Sequence, residues 1–388
     1  MTTRRQFSMS LAALAAPLGN SGAQAADTSK REYLAYVGTY TEKKSKGIYA
    51  FRFHAGTGKL TPAGLAAEIT NPTFLTIHPN RRFLYAVKEV DEFAGKKAGA
   101  VSAFSIDARS GKLTPLNEVT SGGPGPCHVS LDKTNKNVLV ANYNGGSIEV
   151  IPIDGDGRLK EPSQFVQHHG TGPNPERQEA PHAHCIQTSP DNRFALVADL
   201  GLDEVLVYHL DPARGAVTPN DPPFGKTPPG AGPRHFSFAP NGRFVYVINE
   251  IQCTLTTFSY DYQRGALKAL QTVSTVPKDY KVTKDDSTAE VYVHPSGKFV
   301  YGSNRGPDSI AVFAIDQKTG LVNPIEHVST QGKTPRHFAL DPTGKFLLAE
   351  NQDTDSIVVF HINQETGRLT PAGVKVEAPS PVCLQFVV

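Results

Sequence analysis

The sequence predicts an all-β fold, a seven-bladed β-propeller with four antiparallel strands per blade, on three observations. One strand–turn–strand pattern recurs seven times, a second kind of turn recurs six times between the copies, and the strands left over lie at the two ends of the chain. The first pattern is an alternating strand, a turn carrying glycine, and a short Leu-Thr-Pro-like strand. Its copies are Gly47–Gly64, Gly99–Asn117, Ser147–Ser163, Glu204–Asp221, Thr254–Gln271, Ser309–Glu326 and Ser356–Gly373. Their turn glycines run from Gly58 to Gly367 in steps averaging about 51.5 residues, which fits a four-stranded blade of roughly 40–50 residues.

The second unit is an apolar strand, a proline-led turn and another strand. It reads His78-Pro79-Asn80-Arg81-Arg82-Phe83 and recurs at Ser189–Phe194, Ala239–Phe244, His294–Phe299 and Asp341–Phe346, with a degenerate copy over Asp132–Val138. Proline fixes φ and glycine or asparagine accepts positive φ, so this is hairpin chemistry between β-rich flanks. Six such turns against seven of the other kind is the informative mismatch. Tyr33–Thr41 resembles the strand that follows the turn, and Pro381–Val388 the strand that precedes it. One blade is therefore completed by pairing of the C-terminal strand with N-terminal strands, which closes the ring and removes a sheet edge. No amphipathic helical stretch interrupts the series, as an α/β fold would require.

Residues 1–25 read as an export signal. Paired Arg4 and Arg5 precede an apolar run from Met9 to Leu18 and an Ala23-Gln24-Ala25 cleavage site, the twin-arginine form. The run is short of the roughly 20 residues a bilayer crossing needs. The expectation is a single propeller domain over 26–388, periplasmic or secreted, free of the membrane and monomeric. The whole chain carries 39 Lys and Arg against 37 Asp and Glu; removal of Arg4 and Arg5 with the leader brings the balance to zero. A neutral protein has no electrostatic reason to bind nucleic acid or an anionic membrane. The four cysteines, Cys127, Cys185, Cys253 and Cys383, are too scattered for a disulfide framework or a metal pair.

In a propeller blade the start of the innermost strand and the end of the second lie at one end of their hairpin, so these places from every blade ring one mouth of the channel. The starts supply His128, His182, His184, Arg234, His235, Glu290, Arg336 and His337; the ends supply Glu89, Asn142, Tyr143, Asp199, Asn249, Glu250, Asn304, Arg305, Glu350 and Asn351. Asn142, Asn249, Asn304 and Asn351 repeat in one column, which favours a framework role through side-chain hydrogen bonds. The next column, with Glu89, Tyr143, Glu250 and Arg305, does not repeat, and idiosyncratic charges in a repetitive frame are better site candidates. His128, His235 and His337 also repeat. Between Gln167 and His184 an inserted loop gathers His168, His169, Arg177, Gln178, His182 and His184. Four histidines invite a metal reading, but no carboxylate or cysteine sits at ligand spacing, so neither metal nor other cofactor is expected.

The loop Arg177-Gln178-Glu179-Ala180-Pro181-His182-Ala183-His184 resembles the RQ-x-x-P-H-A-H segment of the propeller lactonase family, which includes 6-phosphogluconolactonases of the seven-bladed type and the fungal carboxymuconate cyclase. The resemblance extends over essentially the whole chain after the leader, including Gly232-Pro233-Arg234-His235-Phe236, Val247-Ile248-Asn249-Glu250 and Ser303-Asn304-Arg305-Gly306. It implies a catalytic set of His182 or His184, Arg234, Glu250 and Arg305, all at the mouth inferred from strand geometry. Arg177, Gln178, His128, Asn142, Glu290 and Arg336 are the candidate substrate contacts. Such a set suits opening of a small-molecule lactone by water, with His184 or Glu250 as base and arginines holding the oxyanion or an anionic substituent. No serine or cysteine sits in a nucleophile elbow. The expected substrate is a sugar-type lactone, a 6-phosphogluconolactone or an aldonolactone; an export signal fits poorly with a phosphorylated cytosolic lactone and favours the unphosphorylated one. The competing readings are a lactonising enzyme of cyclase type and a propeller that only binds a ligand or protein. His182 and His184 are two apart, and on a regular strand would point the same way.

Overall fold

The computed structural model describes residues 31–388; the leader, the twin arginines and the cleavage site lie outside the described residues. Seven four-stranded antiparallel sheets follow one another around a ring. Six are consecutive in sequence, their innermost strands being Leu75–Ile77, Pro126–Leu131, Ala183–Thr188, Pro233–Phe238, Ser287–Val293 and Pro335–Leu340 for blades 2 to 7. Blade 1 takes its innermost strand, Pro381–Phe386, from the C-terminus, and its other three, Glu32–Thr39, Gly47–His54 and Lys59–Glu68, from the N-terminus. The closing register pairs Ala35 with Phe386, Tyr36 with Gln385 and Val37 with Leu384. This is the closure that the turn count predicts.

The burial of each strand follows its place in the blade. Second strands such as Phe244–Asn249 and Phe346–Asn351 are buried throughout, because neighbouring blades cover both faces. Their sequences are accordingly near-continuous apolar runs. Outermost strands such as Leu369–Glu377 alternate between shielded and exposed positions, since one face meets water.

The two recurring turns are parts of one inter-blade lock. The phenylalanine closing each proline turn lies against the turn glycine of the next blade: Phe346 under Gly58, Phe83 under Gly157, Phe194 under Gly265, Phe244 under Gly320 and Phe299 under Gly367. Tyrosines two residues on fasten the same glycines, Tyr246 donating to Gly320 O at 2.9 Å and Tyr301 to Gly367 O at 2.9 Å. A side chain at Gly320 would strike the Phe244 ring, and its φ of +75° is left-handed. Gly320→Ala is therefore expected to cost roughly 2–4 kcal/mol from left-handed backbone and overpacking together. A thermal melt with Tm unchanged within a degree would refute this packing role.

Candidate active site

The innermost strands share a defect that sets the site. Pairing with the second strand skips one residue in blade 3 (Cys127), blade 4 (His184), blade 5 (Arg234), blade 7 (Arg336) and blade 1 (Val382), and two in blade 6 (Ala289 and Glu290). These are β-bulges, which interrupt the two-residue alternation and re-aim a side chain. Cys127, His184 and Arg336 line a cavity of about 420 Å3 at one mouth of the channel, together with Glu89, Tyr143, Asn144, Arg177, Glu250, Arg305 and the segment Lys284–Ser287. Arg234 sits one layer deeper, in a void of about 10 Å3 shared with His184 and Arg336. The bulge also separates the two loop histidines. His182 stays behind in the wall, stacked on Tyr143 at 4.5 Å, with Nδ1 at 3.0 Å from Tyr143 O and Nε2 at 3.1 Å from Glu179 Oε1. His184 alone reaches the cavity.

Glu250 is the electrostatic centre. Arg177 Nη2 donates to its Oε1 at 2.5 Å; Arg305 Nη2 and Arg234 Nε lie 2.9 and 3.0 Å from its Oε2. The Arg234 Nε–H is within ion-pair distance but is not aligned on the carboxylate and has no other acceptor, so its contribution is mainly Coulombic. Arg234 and Arg305 are braced from behind by the carbonyls of Ala289 and Thr288, each at 2.6 Å. Burial alone would raise the Glu250 carboxyl, but Arg305, Arg234 and Arg177 together outweigh it and hold it well below the usual carboxylate range. Burial, opposed by Glu250 and reinforced by Arg234 and Arg336, brings Arg305 down to about 10, still a cation at neutral pH.

Arg336 differs from the other three arginines: no carboxylate lies within ion-pair distance among the described residues. Its Nη2 donates to Tyr40 OH at 3.1 Å, and that hydroxyl donates to Glu89 Oε1 at 2.9 Å. Thr73 holds the other Glu89 oxygen. His184 is pushed well below its ordinary value by burial and then by Arg234, His235 and Arg336, so it is a neutral ring. Burial likewise drives the Cys127 thiol well above its ordinary range, which rules out an activated thiolate.

The remaining predicted contacts fall elsewhere. Gln178 is wholly buried, its Nε2 donating to Leu200 O and Asp203 Oδ1, both at 2.8 Å, so it pins the inserted loop. Asn142 donates to Ser121 O at 2.8 Å and Ser147 Oγ at 3.1 Å, the framework role its repetition suggests. His128 and Glu290 line a separate cavity of about 340 Å3 at the opposite mouth, and Glu290 also borders the void that holds Arg234. There His128 stacks against Phe74 at 4.3 Å, and Glu290 is 2.9 Å from His235 Nδ1 and 3.4 Å from His337 Nε2. His168, in the same loop, is paired with Asp199 at 2.7 Å. Tyr40, Cys127 and Asn144 are site residues that strand-end reasoning did not select; Tyr40 ends the strand recognised as a second strand and was accessible to the same rule. A larger groove of about 830 Å3 between the outer strands of blades 1 and 2 holds none of the predicted residues, and its polar groups include the half-buried Lys88–Glu118 pair at 3.4 Å.

Fold and pocket together define a seven-bladed propeller with a charged site at one channel mouth, where Glu250 gathers three arginines beside a neutral imidazole. The family described as "Lactonase, 7-bladed beta-propeller" matches residues 34–386. A 6-phosphogluconolactonase of Bacillus subtilis is 40% identical over 92% of this chain and 98% of its own length. One of Formosa agariphila is 35% identical over 79% and 86%. The solved structure of a periplasmic gluconolactonase of Pseudomonas aeruginosa superposes with a TM-score of 0.86 at 33% identity, covering 92% of this chain and 99% of that one. The chain belongs to the seven-bladed β-propeller lactonase family. Its enzyme class is that of a lactonase, a carboxylic ester hydrolase.

Proposed function

We propose that this chain hydrolyses an unphosphorylated aldono-1,5-lactone in the 420 Å3 cavity, without a metal and as an exported monomer. The observation that carries this reading is a neutral His184 facing the same space as guanidinium groups fixed by Glu250. His184 accepts a proton from water as the water oxygen bonds to the lactone carbonyl carbon. Arg305 and Arg336 face the cavity where the carbonyl oxygen becomes an oxyanion. The imidazolium returns its proton to the ring oxygen as the acyl C–O bond breaks, and the hydroxy acid ionises on leaving. Glu250 is a poor base because both its oxygens already face arginine guanidiniums, which its protonation would leave without an anion. Its role is to hold three arginines.

The gluconolactonase activity that the Pseudomonas aeruginosa protein's description carries, and the twin-arginine leader, support the unphosphorylated substrate. A phosphorylated lactone is the second reading, favoured by Arg336, a half-buried cation with no carboxylate within ion-pair distance among the described residues, and by the Bacillus subtilis relative. Initial rates with glucono-1,5-lactone and its 6-phosphate in a pH-stat separate the two. A kcat/KM at least tenfold higher for the unphosphorylated lactone is expected; turnover of the phosphate alone would overturn the assignment.

The His184 shift also sets the pH profile. With burial holding the ring neutral, the acid limb of kcat/KM must fall below the ordinary histidine value of about 6.5, so activity is flat from pH 6.5 upward until Arg305 titrates at about 10. An acid limb centred above 7 would contradict this.

A further inference from the structure

Cys127 and His184 occupy the same bulge position in adjacent innermost strands, and this brings Cys127 Sγ to 3.6 Å from His184 Nδ1. We propose that Cys127 is a positioning residue that fixes His184 as its Nδ1–H tautomer, so that an unprotonated Nε2 faces the cavity. The inference rests on the reading of His184 as the base.

Donors around the sulfur decide between the two tautomers. Sγ faces three backbone carbonyl oxygens besides the ring: His184 O at 3.4 Å, Ala183 O at 3.7 Å and Ala141 O at 3.8 Å. The thiol carries one proton, and burial keeps it there at neutral pH. If S–H donated to Nδ1, all three carbonyls would face sulfur lone pairs. The ring proton would then sit on Nε2, where His184 could not accept another. If instead S–H donates to the His184 carbonyl, the sulfur is free to accept from Nδ1–H. The second arrangement makes one more hydrogen bond and relieves the lone-pair conflict at the nearest of the three carbonyls. Sulfur is a weak partner in both senses, so a bias of roughly tenfold between tautomers is the expected scale. Nε2 makes no hydrogen bond within the described residues and is not among the sealed unpartnered atoms, leaving it available to water.

The tautomer can be read directly, without substrate. In two-bond 1H–15N correlation spectra of 15N-histidine-labelled protein, the His184 ring is identified by its loss in His184→Gln. The wild type is expected to show the Nδ1–H form. Cys127→Ala should move the ring toward Nε2–H and lower kcat about five- to tenfold with KM within twofold. Cys127→Ser, which keeps an acceptor and a donor, should retain the wild-type tautomer and most of the rate. An Nε2–H ring in the wild type, or the same tautomer in wild type and Cys127→Ala, would overturn the proposal. Should the alanine variant not fold, the wild-type spectrum alone decides. An Nδ1–H ring in a protein that opens no lactone would support the tautomer assignment and sink the catalytic reading.

Discussion

Glu250→Gln should abolish most activity and also weaken the fold, the largest combined effect expected of any single substitution in this protein. The amide keeps the shape but removes the only carboxylate among the described residues within ion-pair distance of Arg177, Arg234 and Arg305. Breaking a buried ion pair by neutralising one partner costs about 3–5 kcal/mol; Arg177 is partly exposed, its side chain 39% accessible, so the lower end of that range applies. Freed from a common anchor, the guanidiniums lose their aim, and misdirected oxyanion donors cost about 10²–10³ in rate. The sign of the pH dependence follows from the carboxyl being depressed in the fold. Its stabilisation is complete above the unfolded value of about 4.3 and fades as pH falls toward the folded one. The gap in Tm between wild type and Glu250→Gln should therefore narrow as melts are taken from pH 6 to pH 3. A constant gap would mean the carboxylate contributes through packing alone.

His184→Gln is expected to remove turnover while leaving the fold intact. Among the described residues the ring makes no ion pair and its only side-chain hydrogen bond is to Cys127, and glutamine has a similar volume. Loss of a general base costs about 10²–10⁴ in kcat, and KM should change little because the arginines remain. The same substitution at His182 should behave in the opposite way. His182 ties Tyr143 and Glu179 into the wall, so its loss should cost stability and raise KM more than it lowers kcat. Equal losses of kcat in the two variants would remove the distinction that the bulge creates.

That distinction marks the limit of what the sequence carries. The blade count and ring closure were legible because they rest on turn glycines that five of the seven blades pack against a phenylalanine of the blade before, so both recur at fixed spacing. The ring of mouth residues was legible for the same reason: strand ends are where turns begin. Side-chain direction was not. It depends on register, and the skipped residue at His184 or Arg234 has no composition signature. Regular alternation therefore could not rank His182 against His184. Burial partners were equally invisible: nothing in the motif says that Gln178 turns inward to Asp203 while its neighbour Arg177 reaches Glu250 across 73 positions. His128 follows the bulge at Cys127 and turns to the opposite mouth, while Glu290, inside the double bulge of blade 6, lies between that mouth and the void beside Arg234.

The central claim is that His184, held neutral beside the Glu250-anchored arginines, drives lactone hydrolysis. Its most direct test is pH-stat titration of acid released from glucono-1,5-lactone at pH 7 in the presence of EDTA, with wild type and His184→Gln run at equal concentration. The account predicts turnover well above the spontaneous rate for the wild type and a rate at least 10²-fold lower for the variant. Equal rates in the two proteins, or wild-type turnover extinguished by EDTA, would contradict it.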